Sequence, residues 1–177
     1  NLERQLFELT DRDAEKVAGW MGELATTGRF EVDEQTRTRM QELYAAGCVS
    51  NDNCLAVIGR TFKEQGYLAD PHTAVALEVA RRNRSERPVL VASTAHWAKF
   101  GPNVWRGLNG VAAADPLPAE VAVLTGVELN RAIAEAAGTT VPAGLEALAE
   151  LPRRFTAVVD ATKDGVETSV EGWLAEK

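Results

Sequence analysis

Several features on which whole classes of proteins depend are scarce or absent in this chain of 177 residues. Two cysteines are too few for a disulfide framework, and the cysteines and histidines do not have the spacing of a zinc site. No G-x-G-x-x-G or G-x-S-x-G motif occurs, which argues against a dinucleotide loop and a hydrolase nucleophile elbow. No apolar run approaches the roughly 20 residues of a membrane-spanning helix. What remains is a globular chain whose function depends on local clusters of side chains.

Charge and thiol content narrow the expected partners and compartment. Nineteen basic against 26 acidic residues give a net charge of −7 without a basic stripe, so we expect no nucleic acid partner. No signal-peptide pattern is present, which favours the cytoplasm. In that compartment we expect Cys48 and Cys54 to be reduced, buried thiols. The length is enough to bury roughly 70 % of the unfolded surface and so to build a core.

The clearest helix start in the sequence lies at Asp70-Pro71. Asp70 is predicted to cap the helix by accepting a backbone N–H, and Pro71 suits its first position. The residues that follow are apolar on nearly all sides except at Glu78, which predicts a helix buried against a sheet. Arg81 and Arg82 fall in its last turn, where cations suit the helix dipole.

A short apolar run, Pro88 to Ala92, follows this helix and predicts a parallel strand covered on both faces. It ends in Ser93-Thr94-Ala95-His96. Because α/β proteins place ligands at the carboxyl ends of parallel strands, these polar residues mark the expected site. Further short strands are predicted at residues 29–32 and 155–159, and helices elsewhere. The expected fold is therefore α/β, rich in helices, with few short strands.

Two segments of the sequence resemble paired motifs of the threonine synthase family. GYLADPHTAVA, followed about twenty residues later by VLVASTAHWAKF, is similar to the family's G-Y-x-x-D-P-H-T-A-V and S/A-T-A-H-P-x-K-F. The opening NLERQLFEL resembles the family's S-N-x-E-R-x-L segment. Trp97 departs from the pattern, since the family commonly has proline there. The likeness is good over residues 1–105 and loose beyond them.

The resemblance implies the C-terminal portion of a pyridoxal-phosphate enzyme of the tryptophan synthase β-like fold type, so we expect a fragment. Residues 1–110 would belong to the catalytic cofactor fold with a helical insertion, and residues 111–177 would form a C-terminal helical extension. The implied activity is that of a lyase of threonine biosynthesis, which converts O-phospho-L-homoserine and water to L-threonine and phosphate. The family's cofactor lysine and phosphate-binding loop lie upstream of the matching segments. The resemblance therefore implies that the chain is inactive without the missing N-terminal part.

The resemblance also suggests roles for particular residues. A hydroxyl at the strand end faces the pyridine nitrogen in this fold type, a role that we assign to Thr94 first and Ser93 second. A hydroxyl donates one hydrogen bond to a neutral ring nitrogen, whereas a carboxylate would keep that nitrogen protonated. We expect no metal site and no catalytic residue in this chain, and Lys99 is not expected to hold the cofactor. The expected substrate pocket is formed by His72, Asp70, Thr73, His96, Asn1 and Arg4.

Other interpretations of the same residues stay open. The hydroxyls at the strand end could merely satisfy backbone groups, and Asn1 and Arg4 could serve as a helix cap and a surface charge. The chain could be a non-catalytic helical interaction or regulatory domain. It could also be part of another pyridoxal-phosphate enzyme, such as a serine or threonine dehydratase.

Overall fold

The structure, a computed structural model, describes residues 2–154 and 156–175. Within them the chain forms ten α-helices and one 3₁₀ turn, Trp97–Phe100, but no strand. The helices are α1 (Leu2–Leu9), α2 (Ala14–Thr27), α3 (Glu34–Leu43), α4 (Asn51–Gln65), α5 (Pro71–Arg82), α6 (Gly101–Asn109), α7 (Ala119–Ala122), α8 (Gly126–Ala136), α9 (Ala143–Ala147) and α10 (Lys163–Ala175).

The first three helices form one group, in which α1 contacts both α2 and α3. Leu6, Leu9 and Val17 are the apolar side chains buried in this group. Arg39 of α3 donates to the carbonyl of Leu9 at 2.8 Å and to the Asp11 carboxylate at 2.9 Å. This arginine therefore ties α3 to the turn between α1 and α2.

The second group contains α4, α5, α6 and α8 and holds the main core. Ile58 of α4, Val104 of α6 and Ile133 of α8 are almost completely buried in it. Helices α4 and α6 approach most closely where Gly59 lies opposite Gly107. A Cβ atom built on Gly59 would lie only 2.3 Å from the Gly107 carbonyl oxygen. Glycine is therefore required at position 59 because the backbone of the neighbouring helix occupies the space of a side chain.

Helix α5 begins as predicted, with Asp70 as its N-cap and Pro71 in its first turn. The expected cover by a sheet is wrong for the described residues, because α5 packs instead against α4. Its buried residues are Thr73, Ala74 and Glu78. The polar residues at positions 73 and 78 thus lie inside, where they need partners.

The three predicted strands are not found in the described residues. Residues 29–32, 88–92 and 156–159 have no regular secondary structure, and Phe155 lies outside the described residues. The run 88–92 is also exposed rather than covered: 97 % of Leu90 and 52 % of Val89 are accessible. A strand forms only where a neighbouring strand pairs with its backbone. Among the described residues, positions 84–95 make no backbone–backbone hydrogen bond, so no such neighbour is present.

Two further expectations about the chain can be compared with the structure. Both cysteines are free, and Cys54 is buried as expected, but Cys48 is exposed, so its predicted burial is wrong. Of the helices in residues 2–154 and 156–175, none has the length and apolar content needed to cross a membrane.

Candidate functional site

The loop before α5 and the residues after the apolar run 88–92 meet at an open cavity of about 550 Å³. We call it the Thr94 cavity. It is lined by residues 66–68 from the loop before α5, residues 93–97, and Ala137 and Thr139 from the end of α8. Thr73 of α5 contacts Ser93, so the two segments are neighbours in space, but Asp70, His72 and Thr73 do not line the cavity.

Asp70 anchors this arrangement from inside the protein, where its carboxylate is almost completely buried. It accepts the backbone N–H groups of His72 at 2.9 Å and Thr73 at 3.4 Å, and it also accepts the Thr73 hydroxyl. Burial raises the pKa of the carboxyl, but the hydrogen bonds from Thr73 and His72 outweigh burial and leave the pKa below its ordinary value. Asp70 is therefore ionised near neutral pH and acts only as an acceptor.

A row of hydroxyl groups leads from Asp70 to the cavity. Thr73 Oγ1 lies 3.0 Å from Ser93 Oγ, and Ser93 Oγ lies 3.2 Å from the Tyr67 hydroxyl. Thr73 is buried, whereas Ser93 and Tyr67 are exposed and line the cavity. These contacts hold the segment that follows residue 92 against the first turn of α5.

Thr94 has a different environment from its neighbour Ser93. It is exposed and lines the Thr94 cavity, and its side chain makes no hydrogen bond to another described residue. A hydroxyl carries one donor and two acceptor lone pairs. Thr94 therefore keeps the full hydrogen-bonding capacity of its hydroxyl for a ligand.

The two histidines lie in different places. His96 lines the Thr94 cavity, and its Nδ1 accepts the backbone N–H of Ala98 at 3.2 Å. A neutral His96 with this bond carries its proton on Nε2. His72 is mostly exposed, does not line the cavity, and packs its ring against Phe100 with 4.9 Å between the ring centroids. Its Nδ1 lies 3.3 Å from Asp70 Oδ1.

The remaining predicted pocket residues, Asn1 and Arg4, are not found at this cavity. Asn1 lies outside the described residues. Arg4 lines a different and smaller cavity of about 250 Å³ between α1 and α2, together with Phe7 and Val17. Their grouping with Asp70 depended on the resemblance alone, and the described residues do not bring Arg4 to the Thr94 cavity.

The lining of the Thr94 cavity includes a residue that we did not predict to be part of the site. Tyr67 stands in the motif GYLAD, but only its hydroxyl contact with Ser93 indicates a role in the site. No lysine or arginine is among the lining residues. Lys99 is close in sequence, but its Nζ lies over the Phe100 ring, 5.5 Å from the centroid. In residues 2–154 and 156–175, no group of three or more metal-ligating side chains occurs.

A second cavity, of about 600 Å³, lies at the opposite end of α5. Arg60 and Arg81 line it, but both form ion pairs with the buried carboxylate of Glu78, which Arg82 also contacts. The side-chain hydrogen bond from Arg81, with those from Arg82 and Arg60, lowers the pKa of Glu78 to about 2 although burial opposes this shift. These arginines stabilise a buried charge, so the Thr94 cavity is the better candidate site.

Comparisons with known proteins agree with the motifs. Residues 73–131 match the family described as threonine synthase, C-terminal. The threonine synthase of Pseudomonas aeruginosa is 32 % identical over 126 residues, which cover 70 % of this chain and 26 % of that protein. Human threonine synthase-like 1 is 35 % identical over 110 residues, which cover 62 % of this chain and 15 % of that protein.

A solved structure gives the same indication. The X-ray structure of PLP-bound threonine synthase from Brucella melitensis matches with a TM-score of 0.54 and 36 % identity. The match covers 68 % of this chain and 26 % of that chain. The chain therefore spans about a quarter or less of the length of these relatives.

Proposed function

Because this chain is related to the threonine synthases and corresponds to their C-terminal part, we propose that it forms one wall of a pyridoxal-phosphate pocket. The observation that carries this proposal is the Thr94 hydroxyl, which has no protein partner among the described residues and lines a cavity of about 550 Å³. A hydroxyl in this position suits a pyridine nitrogen, which needs one donor.

The donors at the cavity suit the ring nitrogen of the cofactor but not its phosphate group. Thr94 can donate to the ring nitrogen, and His96 Nε2–H is a second donor near it. The lining holds no cation that would bind the cofactor's phosphate and no lysine that would attach it. These groups would come from the rest of the enzyme, so we expect the chain alone to be inactive.

The reaction that we propose for the complete enzyme is conversion of O-phospho-L-homoserine and water to L-threonine and phosphate. Pyridoxal phosphate, when bound, would withdraw electrons from the carbon atoms next to the substrate's amino group. Thr94 would hold the ring nitrogen by a hydrogen bond without placing a full positive charge beside it. The Asp70–Thr73–Ser93 contacts would keep the segment carrying Thr94 against α5.

We further propose that residues 88–92 are the docking strand for the missing part of the enzyme. Their backbone groups have no backbone partner among the described residues, and Leu90 is 97 % exposed. An exposed apolar segment whose backbone groups have no backbone partner can pair with another strand. The matching N-terminal part of the same enzyme is the partner that fits, since the relatives extend far beyond this chain.

The proposed division of the chain follows the same correspondence. Residues 1–110 would belong to the catalytic fold with its helical insertion, and residues 111–177 would form the C-terminal extension. Leu129 and Ile133 of the extension lie in the main core with Val104, so the extension would be packed onto the catalytic part.

The central experiment is a phosphate-release assay with O-phosphohomoserine on the complete enzyme that carries this chain. We expect activity in that enzyme and none in the chain alone. Thr94→Val should lower kcat at least about tenfold, whereas Thr94→Ser, which keeps the hydroxyl, should retain most of the activity. Full activity in Thr94→Val would contradict the role given to this hydroxyl.

The docking strand has its own test with a matched control. Leu90→Asp should weaken association between this chain and the separately produced N-terminal part. Val158→Asp places the same charge on a side chain that is 96 % exposed, and it should leave association unchanged. Equal association of both variants would refute docking through residues 88–92.

The same assays separate the two alternative functions. A serine or threonine dehydratase would release ammonia from serine or threonine and no phosphate from O-phosphohomoserine. A non-catalytic interaction domain would bind its partner without pyridoxal phosphate, and Thr94→Val would leave its binding unchanged.

A further inference from the structure

The hydrogen bonds among the hydroxyl groups between Asp70 and the Thr94 cavity all run in one direction from donor to acceptor. This direction follows from the number of O–H donors. The Asp70 carboxylate can only accept, and the Thr73 hydroxyl donates to it. Thr73 has a single O–H, so its oxygen can only accept in its contact with Ser93, 3.0 Å away. Ser93 must therefore donate its own O–H to Thr73.

The next contact is fixed for the same reason. Because Ser93 donates its only O–H to Thr73, it can only accept from the Tyr67 hydroxyl, which lies 3.2 Å away. The O–H groups of Tyr67, Ser93 and Thr73 thus all point along the row toward Asp70. The buried charge at Asp70 sets the direction of the row.

We propose that Asp70 orients the Thr73 hydroxyl so that Ser93 must donate its O–H to Thr73. Thr94 is then the only hydroxyl at residues 93 and 94 that can donate to a ligand. Ser93 and Thr73 are then positioning residues. This inference rests on the proposed function where the ligand is the pyridine nitrogen. The direction of the row itself depends only on the described side chains.

The hydrogen bond from Ser93 to Thr73 distinguishes two hydroxyls that the motif alone does not, since Ser93 and Thr94 both follow the apolar run. Adjacent hydroxyls could compete for one ring nitrogen. With the Ser93 proton held by Thr73, Thr94 is the hydroxyl donor that residues 93 and 94 offer, beside the His96 Nε2–H, and the Tyr67 oxygen is an acceptor. A ligand group that meets Tyr67 is therefore expected to be a hydrogen-bond donor.

The first test uses the chain without any cofactor. The carboxyl of Asp70 is titrated by carbon-13 NMR in the wild type and in variants of Thr73. Thr73→Val should raise the pKa of Asp70, because one hydrogen bond to the charged form is lost, and Thr73→Ser should restore it. An unchanged titration in Thr73→Val would overturn the first step of the row.

The second test uses the complete enzyme with pyridoxal phosphate and follows the absorption of the bound cofactor against pH. Thr94→Val should shift this titration and weaken cofactor affinity roughly five- to tenfold, the effect of about one net hydrogen bond. Ser93→Ala should shift the titration less than Thr94→Val does, because it removes a positioning contact and leaves the Thr94 donor in place. Thr73→Val should shift it, because the Ser93 proton is released, and Thr73→Ser should reverse that shift.

The outcomes separate this inference from the proposed function. If Ser93→Ala shifts the absorption titration as far as Thr94→Val does, the assignment of donors is wrong while cofactor binding stands. If the complete enzyme binds no pyridoxal phosphate, the proposed function fails, and the Asp70 titration alone decides the direction of the row. Because Thr73→Ser and Ser93→Ala are small changes, the test does not depend on the folding of Thr73→Val.

Discussion

Replacing Gly59 by alanine tests the closest helix–helix contact of the main core. The Cβ of alanine would lie 2.3 Å from the carbonyl oxygen of Gly107 on α6. Ordinary carbon–oxygen contacts begin at about 3.3 Å. Helices α4 and α6 would have to separate locally by about 1 Å, because the atom that blocks the methyl group belongs to the backbone and no rotamer change can remove it.

The expected size of the effect follows from two opposing contributions. Forcing an extra methyl group into a packed interface costs about 1–3 kcal/mol of unfolding free energy. Alanine in place of glycine within a helix returns about 0.5–1 kcal/mol. We therefore expect Gly59→Ala to lower the free energy of unfolding by up to about 2.5 kcal/mol, with Ile58 and Val104 losing contacts as the helices part.

The assay is urea unfolding followed by circular dichroism, with Gly126→Ala as the matched control. Gly126 lies in the first turn of α8 in the same helix group, and a Cβ there would meet nothing within 4 Å. This control should be neutral or more stable by up to about 1 kcal/mol. If Gly59→Ala proves as stable as Gly126→Ala, the close approach of α4 and α6 is wrong.

Three further predictions concern stability. Glu78 has a folded pKa of about 2 against an ordinary 4.5, so the stability it contributes is present above about pH 4.5 and is lost as the pH falls toward 2. Glu78→Gln should therefore be less stable than the wild type at pH 7, and its stability should fall less as the pH is lowered. If the urea midpoints of the variant and the wild type fall by the same amount as the pH is lowered, this prediction is wrong. Thr125→Ala breaks the capping box of α8 and should cost about 1 kcal/mol in urea unfolding, while Thr125→Ser should cost little. Ile133→Ala empties a buried core position and should cost about 2–5 kcal/mol by the same measurement, and a loss below 1 would mean that the core collapses around the gap.

The parts of the fold that the sequence predicted well are the ends of helices. Asp13 caps α2 by accepting the backbone N–H of Lys16, and Gly28 ends the helix with φ 75°. Asp70 and Pro71 begin α5 as expected. Caps and left-handed glycines act on backbone groups within one turn, so a few neighbouring residues are sufficient to predict them.

The predicted strands failed for the opposite reason. The run 88–92 has the composition of a covered strand, yet Leu90 is 97 % exposed in the described structure. A strand depends on a neighbour that local sequence does not specify. The same holds for the close approach of Gly59 and Gly107, which lie far apart in the sequence.

Sequence alone determined which residues could supply the chemistry: the acceptor at Asp70 and the hydroxyls of Ser93 and Thr94. Only the tertiary structure decided which of them are committed to one another. It placed Thr73 between Asp70 and Ser93 and brought Tyr67 to the far end of the row. The physical reason is that a motif names donors and acceptors, whereas the direction of a hydrogen bond depends on which groups come within about 3 Å of each other.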